Sequence, residues 1–142
     1  MYRRLLSISL IICVMYLVIG CVTSEKQIKE MSPDEQAISQ LLDNMVNAWN
    51  NKDVAGYLSA WHDDAKMMIG KEKAIVSKKE FSKTLPAKIG STSDWKFKSK
   101  KIKINDDKAT VKARTLYGGV LFYYYFNLAK ENGKWFIMSD RW

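Results

Sequence analysis

Residues 32–69 read SPDEQAISQLLDNMVNAWNNKDVAGYLSAWHDDAKMMI, and this stretch decides the fold. Ser32 suits the cap position before a helix, and Pro33 suits its first turn. Asp34 and Glu35 complement the positive helix end, and Glu35 stands three residues after Ser32, as a capping box requires. Ile38, Leu41, Leu42, Met45, Val46 and Trp49 then recur three and four apart, which is one apolar stripe along a long helix. Asn50-Asn51-Lys52 breaks the period. Asp53 is placed to cap a short second helix that buries Val54, Tyr57, Leu58 and Trp61. His62-Asp63-Asp64 reads as a polar corner, and Met67-Met68-Ile69 as a short strand stopped by Gly70.

Downstream, 71–76 reads as another short strand. Ser77-Lys78-Lys79-Glu80 repeats the capping-box pattern and opens a third helix, which Pro86 should end or kink near Leu85. Four long strands follow, from Trp95, Ala109, Val120 and Trp135. The second alternates Ala109, Val111, Ala113, Thr115 and Tyr117 against Thr110, Lys112 and Arg114, so one of its faces is buried. The third is apolar on both faces and should be central. Asn132-Gly133 is a hairpin turn. Helices first and antiparallel strands after them make an α+β fold with the helices on one face of the sheet.

Several of these residues also carry a family resemblance. Ala48-Trp49-Asn50, Lys52-Asp53, Tyr57, Leu58 and Asp63-Asp64-Ala65, with Gly133-Lys134-Trp135-Phe136-Ile137 and Asp140-Arg141-Trp142 at the end, resemble the NTF2-like superfamily. Within it they are similar to the small SnoaL-like and DUF4440-like domains. The resemblance spans residues 32–142. It implies a cone: three N-terminal helices on a strongly curved antiparallel sheet of about four long strands plus one or two short ones. It also implies a cavity between helices and sheet, and a homodimer through the sheet face.

Residues 1–20 read as a signal peptide, with Arg3 and Arg4 before an apolar run from Leu5 to Ile19 that is short for a membrane span of ~20 residues. Val18-Ile19-Gly20-Cys21 resembles a bacterial lipobox, although Val18 stands where Leu is usual. It implies a lipoprotein tethered by lipid on Cys21 and residues 21–31 to a membrane of the cell envelope. In a Gram-negative cell, Val22 in place of Asp implies the periplasmic side of the outer membrane. Cys13 and Cys21 are the two cysteines, so residues 32–142 have no thiol for a disulfide or a thiolate metal site. With a single histidine and no spaced carboxylate set, the sequence points to no metal and no cofactor.

The ligand-binding candidates are the aromatics that would line the cone: Trp49, Tyr57, Trp61, Phe81, Trp95, Tyr117, Tyr123, Tyr125 and Trp135, with Leu85 and Phe97 beside them. The alternative is that they simply close the core, because Trp and Tyr carry much of the burial in a small domain. Which of Tyr123, Tyr124 and Tyr125 faces inward turns on the register. His62, Asp63 and Asp64 are the only catalytic candidates. Enzymes of the resembled superfamily, of the isomerase and dehydratase kinds, use an Asp or a His-Asp pair inside the cone, yet Asp at a corner commonly bonds its own backbone. Asp140, beside Arg141, reads as half of a surface pair.

The formal net charge is +8, and it falls by two when Arg3 and Arg4 leave. Lys96, Lys98 and Lys100 would share one strand face, as a solvated edge-protecting row or as a contact for an anionic partner. Export argues against nucleic acid. The reading is a lipid-anchored, non-catalytic domain that binds a small apolar or amphipathic ligand, or an envelope protein. Its rival is a small enzyme of acid-base type using His62 and Asp64.

Overall fold

The computed structural model describes residues 30–142 except Ser93. The signal peptide, the lipidation at Cys21 and nearly all of the tether lie outside the described residues. Residues 31–142 form one unit. Its elements are α1 (Pro33–Asn50), α2 (Val54–Ser59), β1 (Trp61–Ile69), β2 (Ala74–Ser77), α3 (Lys78–Lys88), β3 (Lys96–Asn105), β4 (Lys108–Tyr117), β5 (Val120–Glu131) and β6 (Lys134–Arg141).

All three helices start where their caps stand. Ser32 Oγ accepts from the Glu35 N–H and Glu35 returns a bond to the Ser32 N–H, and Ser77 and Glu80 do the same for α3. Asp53 accepts from the Gly56 N–H at 2.9 Å. Pro86 does not end α3, which runs on to Lys88. The ring deletes one ladder donor only, and the Ile89 N–H closes the last turn on the Leu85 carbonyl.

The six strands form one curved sheet in the order β2-β1-β6-β5-β4-β3, with the helices against its inner face. The sheet is mixed. β1 runs parallel to β6, and the other neighbours are antiparallel. Ile38, Leu42, Met45 and Trp49 of α1 are buried, as the stripe predicts, in one core with Val111, Ala113, Phe126, Leu128 and Ile137 of the sheet. Asp34 joins the helix start to the sheet, accepting from Trp135 Nε1 at 2.9 Å and from Lys130 Nζ at 2.8 Å. The lysine bond is the larger cause of a carboxyl pKa below the usual range.

Two local expectations are corrected. Trp61 does not lie in the second helix and 62–64 are not a corner, because β1 already begins at Trp61. Its pairing with β6 steps from Trp61↔Ile137 to Lys66↔Ser139, so His62, Asp63 and Asp64 occupy a bulge within the strand. Likewise Lys96, Lys98 and Lys100 do not share a face. A register shift between Phe97 and Ser99 turns Lys100 toward α1, where its Nζ bonds the Ser39 carbonyl and Asp43.

The β4–β5 turn, Gly118-Gly119, has positive φ at both residues (57° and 79°), which glycine adopts without a Cβ penalty. Asp94 holds it, accepting from the Gly118 N–H at 2.7 Å and the Gly119 N–H at 2.9 Å. Asp94→Ala is expected to leave the fold intact and to speed hydrogen exchange at these two amides well above that of the Phe126 amide. Unchanged exchange there would show that the turn holds itself.

Candidate functional site

A cavity of about 640 Å³ opens between the helices and the inner sheet face. Its walls come from every layer: Trp49 from α1, Tyr57 from α2, Phe81 from α3, Met67 and Met68 from β1, Trp95 before β3, and Tyr117, Phe122 and Tyr124 from β4 and β5. The rings pack on one another. Trp49 meets Trp95 edge-on at 5.3 Å and Tyr57 at 5.5 Å, and Trp95 meets Tyr117 at 5.7 Å. Asn50 steadies this wall by donating its side-chain amide to the Trp95 carbonyl at 2.8 Å. The indole N–H groups of Trp49 and Trp95 are buried and have no hydrogen-bond partner among the described residues.

Among the described residues the one acid lining the cavity is Asp140, 7% exposed. Its Oδ1 accepts from the Met68 N–H at 2.7 Å and its Oδ2 from the Tyr124 hydroxyl at 2.6 Å. Burial raises its carboxyl pKa, and these two bonds pull the other way. Tyr124 and Tyr57 are held well above the usual phenol value, by burial first and then by the nearby Asp140 charge. At neutral pH both phenols therefore keep their protons, and Tyr124 donates its own to a carboxyl that is protonated more readily than a solvated one.

The sequence candidates divide three ways. Trp49, Tyr57, Phe81, Trp95 and Tyr117 line the cavity. Trp61 and Trp135 are buried in the core without lining it, and Leu85 and Phe97 are core contacts. Tyr123 and Tyr125 are corrected to the outer face, where Lys112 lies 4.0 Å over the Tyr123 ring and Arg141 4.9 Å over that of Tyr125.

The catalytic candidates lie outside the cavity. His62 Nδ1 accepts from the Asp64 N–H, which leaves the proton on Nε2 for Glu131 at 2.9 Å, and the ring edge rests on Phe136. Asp63 pairs with Lys78 and Asp64 is solvated.

Asp140, Phe122 and Met68 are not among the sequence candidates, and of the three tyrosines left open the register turns Tyr124 inward. Asp140 is not a surface partner of Arg141. The β5–β6 pairing steps from Leu128↔Ile137 to Asn127↔Ser139, and the extra residue, Met138, turns Asp140 inward. For β5 a signal existed: polar Asn127 marks the outer face, and 123 and 125 share it by alternation.

Helices layered on a curved six-stranded sheet that closes over an apolar cavity define the NTF2-like class. Solved structures agree at the level of fold. An NTF2-like protein of unknown function from Pseudomonas putida KT2440 is 17% identical with a TM-score of 0.64, the match covering 80% of this chain and 88% of the other. One from Shewanella baltica OS155 is 18% identical with a TM-score of 0.63, covering 78% and 94%. A cystatin-like-fold protein of unknown function from Nostoc punctiforme PCC 73102 is 20% identical with a TM-score of 0.62, covering 78% and 91%. No curated protein matches the sequence. Within the class, residues 33–142 match one family model, and the chain belongs to the family described as "Putative lumazine-binding".

Proposed function

We propose that this domain binds a small, largely apolar ligand in the cone without transforming it. One observation carries the reading: a cavity of about 640 Å³, within the usual range for small-molecule sites, walled by aromatic rings and holding one carboxyl. The family description supports a planar heteroaromatic such as lumazine, which stacking on Trp49, Trp95 or Tyr117 would suit. The sequence of residues 1–21 further supports export and lipid anchoring at Cys21, which would hold the cone beside a membrane.

Native mass spectrometry of the chain, purified without denaturant, tests this. The expected result is an added mass of one small molecule that disappears on unfolding. Phe122→Trp, which puts a larger ring into the cavity, should remove it. A clean mass for the unmodified chain, together with no fluorescence response from the apolar probe N-phenyl-1-naphthylamine, would reject the reading.

A second reading rests on Asp140. A carboxyl of raised pKa beside a phenol donor, inside an apolar cavity, is equipment for proton transfer. It replaces the His62 and Asp64 version. The recovered ligand discriminates: acid-base turnover requires deuterium uptake into it in D₂O, lost in Asp140→Asn, whereas simple binding requires none.

A further inference from the structure

Among the described residues, most of the exposed large apolar side chains gather at one end of the cone. Val120 is 61% exposed, Leu121 49%, Tyr123 49% and Trp142 36%. Three of them follow the Gly118-Gly119 turn directly, and Val120 and Trp142 also border the cavity. The register sorts the tip. Tyr117↔Val120 is its cavity side, Leu116↔Leu121 its outer side, and Arg114↔Tyr123 the first row behind it. Leaving such residues in water is unfavourable, and contiguous ones mark a contact surface.

Charge identifies the partner. Lys71 and Lys88 stand exposed on the cavity rim. Lys96 pairs with Leu116 behind the tip, and Arg114 and Lys112 flank Tyr123. None of these five cations is in an ion pair among the described residues. The acids nearest the tip are engaged: Asp94 by the two glycine amides, Asp140 within the cavity. Further along the outer face Lys101 stands directly opposite Lys112, a like-charge pair that costs stability. An apolar tip, then a tyrosine, then unpaired cations matches the depth profile of an anionic bilayer: hydrocarbon, interface, phosphate. A second copy of the chain fits poorly, since it would bring the same cations face to face.

We propose that the β4–β5 tip and the adjoining cavity rim dock peripherally on an anionic phospholipid bilayer, so that the cavity opens toward the lipid. The docking does not require the cavity to be filled, so it stands or falls apart from the ligand reading. No helix among the described residues is long and apolar enough to cross a membrane.

The test is hydroxyl-radical footprinting of the full chain, read by mass spectrometry, with phosphatidylglycerol–phosphatidylcholine vesicles and with pure phosphatidylcholine vesicles. Oxidation of Val120, Leu121, Tyr123 and Trp142 should fall several-fold on the anionic vesicles only, while Phe136, toward the far end of the sheet, is unchanged. Lys112→Gln with Arg114→Gln should raise the anionic lipid needed for half-protection about thirtyfold. The readout is local, so attachment through another part of the chain does not mimic it. Undiminished oxidation at the tip overturns the proposal, as does equal protection on the neutral vesicles. Protection that appears without lipid and grows with protein concentration also overturns it, and assigns the surface to a second copy.

Discussion

Asp140→Ala is expected to destabilise the domain by about 2–4 kcal/mol, because it strips two buried donors of their acceptor at once. The Met68 N–H and the Tyr124 hydroxyl both end on this carboxylate, and they belong to β1 and β5 on either side of β6. The loss of a buried charge offsets part of the cost, so the figure is below that of two orphaned donors counted alone. Asp140→Asn should cost less. Its oxygen still accepts from Met68, and its amide donates to the Tyr124 oxygen with the bond reversed. Urea unfolding at constant m reads both. A loss under about 1 kcal/mol in the alanine variant would mean the two donors find other partners, and Asp140 would then not be the tie between strands.

The same pair of proteins gives a pH signature. The folded protein holds the Asp140 proton more tightly than the unfolded chain, whose ordinary value is 3.8. Wild-type stability therefore carries a penalty that is absent below 3.8. It grows as pH rises toward the raised folded value, and is complete above it. Asp34, Asp63, Glu80 and Asp94 act oppositely. Their depressed values add stability that is lost as pH falls. The asparagine variant keeps those four, so the difference between the two proteins isolates Asp140. Asparagine should gain on wild type as pH rises from about 4. A gap that stays flat with pH would show that burial does not raise this carboxyl.

The helices were legible because their signals are local. Ser32 with Glu35, Asp53, and Ser77 with Glu80 each need only a few neighbouring residues to be read, and all three caps form. The long strands were legible from alternation, as in β4, and from turn residues at their ends. The cavity wall was legible in part, since five of the nine proposed aromatics line it. Three of the failures share a physical cause. They lie in or beyond a bulge, where extra residues on one strand reverse which side chains face inward. The slip at Met138 hid Asp140, the one between Phe97 and Ser99 hid the inward turn of Lys100, and the long bulge after Trp61 made a strand look like a corner. A bulge depends on what the neighbouring strand offers, and the β1–β6 pairing joins residues 73 and 76 positions apart. Local pattern does not carry that.

Trp61 shows the consequence in energy. It is 1% exposed, with its ring 6.1 Å from that of Tyr57 and its backbone opposite Ile137 across the parallel seam. Trp61→Ala is expected to cost about 3–5 kcal/mol, the usual range for emptying a buried aromatic site. Trp61→Phe, which keeps a ring, should cost less than half of that. The position of the loss is as informative as its size. Were Trp61 the last residue of a helix, its removal would loosen α2 first. As the first residue of β1 it should loosen the seam. The Ile137 amide, which bonds the Ala60 carbonyl at 2.9 Å, should then exchange faster, ahead of the amides within α2. Hydrogen exchange on the folded variant decides between them. Early loss at Ile137 would make Trp61 the residue that fastens the parallel strand to the sheet. The cavity wall would depend on it too, because Met67 and Met68 on that strand line the cavity and the Met68 N–H donates to Asp140.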